Sequence, residues 1–141
     1  MTLASLEIDE TRLIAIMTVN RPEVLNALDV ATAIDMQKVA SKLAVRQDLR
    51  CIVFRGSGRA FMAGGDLAGF AKDFDVADKV VHQLLDALEP VVKTFQNHPA
   101  PVLACVHGAV AGAGMSLMAA ADVVLAAADT RFMLAYDKIG A

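Results

Sequence analysis

Two short apolar runs, Cys51-Ile52-Val53-Phe54 and Pro101-Val102-Leu103-Ala104-Cys105-Val106, each break off into a cluster of small residues. A continuous apolar run of this length fits a strand covered on both faces, as in a parallel sheet flanked by helices. The first cluster is Gly56-Ser57-Gly58 followed by Phe61-Met62-Ala63-Gly64-Gly65-Asp66-Leu67. The second is His107-Gly108-Ala109-Val110-Ala111-Gly112-Ala113-Gly114-Met115-Ser116. Residues this small leave the main chain open to a ligand. Two such turns brought together are able to aim a pair of backbone N–H groups at one oxygen.

The rest of the chain alternates in the same way. Leu3 to Ile8 and Arg12 to Val19 read as strands joined by a turn at Asp9-Glu10-Thr11, and Asn20-Arg21-Pro22 ends the second, since proline removes a ladder donor. Asp29 is placed to cap a helix on which Ala33, Met36, Ala40 and Leu43 recur at helical steps. A second helical stripe (Val81, Leu84, Leu88, Val91, Phe95) runs from about Val76 to Phe95, with Pro90 expected to kink or split it. Gly112 to Ala121 reads as a small-residue helix and Asp122 to Ala126 as a further strand, while Arg131 to Ala141 is short and ambiguous. Strands alternating with helices give an α/β chain, and 141 residues suffice for one domain, residues 1–141.

Composition removes several classes of function. Hydrophobic residues make up 56% of the chain, largely Ala and Val, which predicts close packing or a surface covered by another subunit. The net charge is −3 with no basic block, so no nucleic-acid partner is expected. Thr2-Leu3-Ala4-Ser5-Leu6-Glu7 has no secretory character. The apolar region from Gly108 to Ala121 is interrupted by Asp122 and is too short for a membrane span, so no membrane partner is expected either. Cys51 and Cys105 sit in apolar runs as buried thiols, in keeping with a reducing cytoplasm. No Cys, His and acidic pattern has metal-ligand spacing. His82, His98 and His107 are read as surface, loop and hydrogen-bonding residues, and Asp73, Asp75 and Asp78 as a solvated loop and helix start.

By residue type alone, the segment Arg59 to Leu67 is either an ordinary tight strand-to-helix connection, with Asp66 as the cap, or a turn that faces a ligand. The segment Gly108 to Gly114 is either a helix packed through small residues or a ligand loop; a dinucleotide loop is disfavoured because the third glycine of G-x-G-x-x-G is absent. Together, however, Phe61-Met62-Ala63-Gly64-Gly65-Asp66-Leu67, the run from Pro101 to Gly114, and Asn26-Ala27-Leu28 after Arg21-Pro22 resemble the enoyl-CoA hydratase/isomerase (crotonase) superfamily. The resemblance spans nearly the whole chain and about the first half of a typical family subunit.

The resemblance implies a crotonase-like spiral of β-β-α units, truncated before the C-terminal helical region. It implies an acyl-CoA or enoyl-CoA thioester as partner, no cofactor besides the coenzyme A of the substrate, no metal, and assembly as a homo-trimer or hexamer. The N–H groups of Ala63 and Ala113 would form the oxyanion hole. Val24, Leu25, Ala27, Arg59, Ala63, Gly64, Gly65, Asp66, Leu67, Gly112, Ser116 and Tyr136 would line the path of substrate and CoA. Hydratases of the family place water with two glutamates, and the matching positions here are Ser116 and Tyr136. Neither is a base at neutral pH, so a double-bond shift is expected rather than hydration. Relatives with a similar Ala-Tyr-x-x-Ile-Gly segment take their catalytic carboxylate from a loop just beyond it. This chain stops at Ala141, so the base is expected from outside it. A non-catalytic CoA-thioester-binding or scaffold fragment is the alternative.

Overall fold

The computed structural model describes residues 2–66 and 74–135. Strands β1 (Ala4–Asp9) and β2 (Ile14–Val19) form an antiparallel hairpin. Its turn is held by the Asp9 carboxylate, which accepts from the N–H groups of Thr11 and Arg12 at 3.0 and 2.9 Å. Helix α1 (Val30–Ala44) follows, capped by Asp29, whose side chain accepts from the Thr32 N–H. Its buried stripe of Ala33, Met36, Ala40 and Leu43 is the one that the sequence periodicity marks.

The remaining elements repeat one plan. β3 (Cys51–Gly56) leads through the segment at Met62–Gly65 to α2 (Phe74–Asn97). β4 (Val102–Val106) leads through β5 (Ala109–Ala111) to α3 (Ala113–Ala119). β6 (Val123–Ala126) leads to β7 (Arg131–Met133). The first strands of these units join the hairpin in a five-stranded sheet of order β1-β2-β3-β4-β6, parallel from β2 onward. The second strands stack beside it: Leu28 bridges Gly65, Met62 bridges Val110, and β5 pairs with β7. Each turn of chain therefore contributes to two sheets before its helix, which is the expected spiral of β-β-α units.

The core lies between the large sheet and the pair α1–α2, which pack against each other. Phe54 of β3 meets Phe61 edge-on at 5.1 Å between ring centres and Phe95 of α2 at 5.2 Å. Phe61 is thereby pinned under the turn that follows β3.

Three readings change. α2 is one continuous helix through Pro90 rather than two pieces. Proline removes a single helical donor, and the exposed side of α2 leaves water to serve the freed carbonyl. Strands β5 and β7 were not foreseen, because three residues are too few to show a period. Cys51 and Cys105 are free thiols and half-buried rather than fully buried, and burial pushes the Cys51 thiol up. Val123, Leu125, Phe132 and Leu134 leave an apolar surface on β6 and around β7, at 55%, 62%, 49% and 65% exposure. Among the described residues no helix is long and apolar enough to cross a membrane.

Candidate active site

The two small-residue turns meet face to face. The Phe61 N–H donates to the His107 carbonyl at 2.8 Å, the Met62 N–H to the Ala109 carbonyl at 3.1 Å, and the Ala111 N–H back to the Met62 carbonyl at 3.0 Å. This short ladder needs close backbone approach. A Cβ on Gly114, in the first turn of α3, would come 2.6 Å from the Met62 carbonyl oxygen. A Cβ on Gly112 would stand 3.6 Å from the Gly64 Cα. The glycines thus serve the contact between the turns.

On its other side the first turn is zipped to residues 25–28. The Ala63 N–H donates to the Leu25 carbonyl at 3.0 Å, the Leu28 N–H to the Gly64 carbonyl at 2.7 Å, and the Asp66 N–H to the Leu28 carbonyl at 2.8 Å. This corrects the assignment of Ala63. A donor already engaged in a ladder is not available to a thioester oxygen. In a parallel bridge, the central residue on one strand turns its own N–H away from the partner. Here that residue is Gly65, opposite Leu28. Among the described residues the Gly65 N–H makes no hydrogen bond, and neither does that of Ala113 at the start of α3. An unpaired donor at Ala113 is what the first turn of a helix leaves.

Sequence reasoning missed what holds these turns. Asn26 is fully buried, with φ of 56°. Its side-chain oxygen accepts from the Arg21 N–H at 2.8 Å, and its amide donates to the carbonyls of Ser57 and Ala60, each at 2.8 Å. The Arg21 guanidinium, 14% exposed, reaches the Ala27 carbonyl at 2.8 Å and the carboxylates of Asp29 and Asp66, each at 3.2 Å. Burial pushes the Asp29 carboxyl up, but the Thr32 hydroxyl and N–H together with Arg21 outweigh this and hold it below the usual range. Asp66 is therefore an ion-pair partner; the helix cap expected of it falls on residues 67–73, outside those described.

Leu25 and Ala27 lend their carbonyls to this network, while Val24 and Arg59 are exposed beside it. The Gly112 N–H donates to the Met133 carbonyl at 3.0 Å, and its own carbonyl accepts from Met115 and Ser116. Leu67 and Tyr136 lie outside the described residues. His107 hydrogen-bonds the Gly58 carbonyl at 2.7 Å, a structural contact. Among the described residues no three His, Cys, Asp or Glu side chains gather as metal ligands.

A cavity of about 370 Å³ opens between α2 and α3, its walls formed by Leu85, Leu88, Val92 and Leu117, with Ala113 at one side. Its size and apolar walls suit a small acyl group. A larger hollow of about 560 Å³ lies at the ends of the sheet strands by Arg55 and Cys105, bordered by Gly56, Ser57 and His107 at the beginnings of the two small-residue segments.

Comparison with known proteins points the same way. A profile of the enoyl-CoA hydratase/isomerase family matches residues 9–141. A probable enoyl-CoA hydratase of Rhodobacter capsulatus is 42% identical over 127 residues, covering 90% of this chain and 48% of that protein. The 1,2-epoxyphenylacetyl-CoA isomerase of Escherichia coli is 30% identical over 131 residues, covering 88% and 48%. Among solved structures, an enoyl-CoA hydratase of Mycobacterium smegmatis superposes with a TM-score of 0.87 at 33% identity, covering 98% of this chain and 52% of that one. The chain spans about half the length of the relatives it matches. With a superposable fold, a 42% identical relative and a family profile over nearly its whole length, the chain belongs to the enoyl-CoA hydratase/isomerase (crotonase) family.

Proposed function

We propose that this chain binds an acyl-CoA thioester and stabilises its enolate, with double-bond isomerisation favoured over hydration. The observation that carries the reading is the meeting of two turns whose Gly65 and Ala113 N–H groups are unclaimed by any described residue. An enolate oxygen gathers negative charge as the α-proton leaves, and preorganised N–H donors favour that charge far more than the neutral thioester. The thioester thus becomes a stronger carbon acid without a metal or cofactor, coenzyme A entering as part of the substrate. Arg59, exposed at the edge of the first turn, supplies a cation for CoA phosphates. Ser116 and Tyr136, standing where hydratases of the family carry glutamates, are the reason isomerisation is preferred. The apolar surface at β6 and β7 supports assembly with other subunits, a homo-trimer or hexamer. A cytoplasmic setting agrees with the two free thiols.

The test is titration with acetoacetyl-CoA, following the ultraviolet band of its enolate. Saturable growth of that band is the expected result. A folded chain that leaves the band unchanged would refute the reading. Turnover of a trans-3-enoyl-CoA then separates an enzyme from a mere binder.

A further inference from the structure

The cavity beside α3 brings in two carboxylates from α2, Asp86 and Glu89, in addition to its apolar walls. On a helix, Leu85, Glu89 and Val92 fall on one stripe at steps of four and three residues. All three line the cavity, so Glu89 stands in the middle of its apolar wall, while Asp86 lies one step around the helix. The Glu89 carboxylate pairs with Lys93, one turn along, at 2.8 Å, and the two side chains are 63% and 64% exposed. It is a solvent-accessible carboxylate with no buried partner to lock it. The other carboxylates near the turns are committed: Asp66 pairs with Arg21, and Asp29 caps α1 and pairs with Arg21 too.

We infer that Glu89 is the acid–base group of the reaction, an inference that rests on the CoA-thioester reading above. A thioester whose acyl group enters this cavity presents its α-carbon to the wall that carries Glu89. The carboxylate takes the α-proton: the C–H bond breaks, an O–H bond forms on Glu89, and the electron pair passes to the thioester oxygen as an enolate. The acid proton on the solvent-exposed Glu89 exchanges with water, and its delivery to the γ-carbon of the dienolate restores the carboxylate and leaves the 2-enoyl product, now carrying a solvent hydrogen. No oxidant, metal or second substrate is needed. General acid–base groups of this kind contribute about 10²–10⁴ in rate.

The experiment measures deuterium uptake from D₂O by trans-3-hexenoyl-CoA, alongside the acetoacetyl-CoA enolate band, for the parent chain, Glu89→Gln and Glu89→Asp. The substituted side chain is largely in solvent, so the circular dichroism and melting of all three should agree. Uptake in Glu89→Gln should fall about 100-fold or more while the enolate band stays within about twofold, with partial recovery in Glu89→Asp. Undiminished uptake in Glu89→Gln, or a parent chain that binds the enolate yet exchanges nothing, overturns Glu89 alone. A parent chain that fails to bind overturns the thioester reading and this inference with it.

Discussion

Replacing Asn26 by alanine takes one side chain out of the junction between three stretches of chain. Three hydrogen bonds disappear, all at 2.8 Å: one received from the Arg21 N–H and two given to the Ser57 and Ala60 carbonyls. The Ala60 end is the costly one, because Ala60 is 2% exposed and water cannot readily replace the lost donor. A buried polar group left unsatisfied costs about 1–3 kcal/mol, and the other two, nearer to solvent, add about 1 kcal/mol together. Asn26 also sits at a φ of 56°, which alanine tolerates less well than asparagine, adding up to about 1 kcal/mol. The expected loss is about 3–4 kcal/mol, a large share of the roughly 5–15 kcal/mol that holds a domain. For a chain of this size that lowers the melting temperature by about 10–15 °C. Urea unfolding followed by circular dichroism measures it, with an unchanged dependence on denaturant confirming a native-state effect. Asn26→Asp makes a sharper comparison. It keeps the oxygen facing Arg21 but turns a second oxygen toward two carbonyls, and it should be no better than alanine at neutral pH. A loss below about 1 kcal/mol for Asn26→Ala, or a well-tolerated Asn26→Asp, would refute the view that this side chain rivets the loops.

Other consequences follow from the same geometry. Gly65→Pro deletes an unclaimed N–H and should weaken enolate stabilisation by about 10²–10³ with little loss of stability, whereas Ala63→Pro removes a ladder bond and should lower the melting temperature; equal effects in enolate and melting assays would contradict the reassignment. Gly114→Ala drives a methyl into the Met62 carbonyl, so it should cost about 1–3 kcal/mol and abolish the enolate band even below the melting transition; an intact band would contradict the close approach. Asp29 has a folded pKa below its unfolded one, so its contribution is present above about pH 4 and is lost as the pH falls through the lower, folded value. Acid titration of stability should therefore show a smaller loss below pH ~4 in Asp29→Asn than in the parent.

The fold was legible in the sequence because it rests on periods. The stripe of α1, its Asp29 cap and the apolar strands β3 and β4 each announce themselves within a few residues, and burial then confirms them: Ala33, Met36, Ala40, Leu43, Ile52 and Phe54 are all fully buried. Elements shorter than a period gave no such signal. β5 and β7 exist because the ladder that starts at Leu28 and Gly65 continues through Met62 and Val110, a long-range property that no local window carries. The uninterrupted run of α2 through Pro90 likewise depends on which side of the helix faces solvent.

The candidate site was legible only to the level of which turns meet in it. Choosing between Ala63 and Gly65 is a question of register, since adjacent N–H groups on an extended segment point in opposite directions. Register here is set by two bonds to Leu28, which pairs with the turn because Asn26 and Arg21 bring residues 25–28 beside it. Those two residues resemble an ordinary strand ending when read alone, as arginine before proline and asparagine before alanine. Their role appears only when the Asn26 amide is seen to reach Ser57 and Ala60, more than thirty residues away. The same logic bears on Glu89. A glutamate paired with a lysine four residues later is the commonest sort of solvated helix face, and its sequence signature is that of a surface ion pair. What distinguishes it is the apolar stripe in which it stands and the cavity that it shares with Ala113 and Leu117 of α3. The catalytic role proposed for this exposed carboxylate therefore depends on a cavity shared by α2 and α3, which no window of sequence around Glu89 displays.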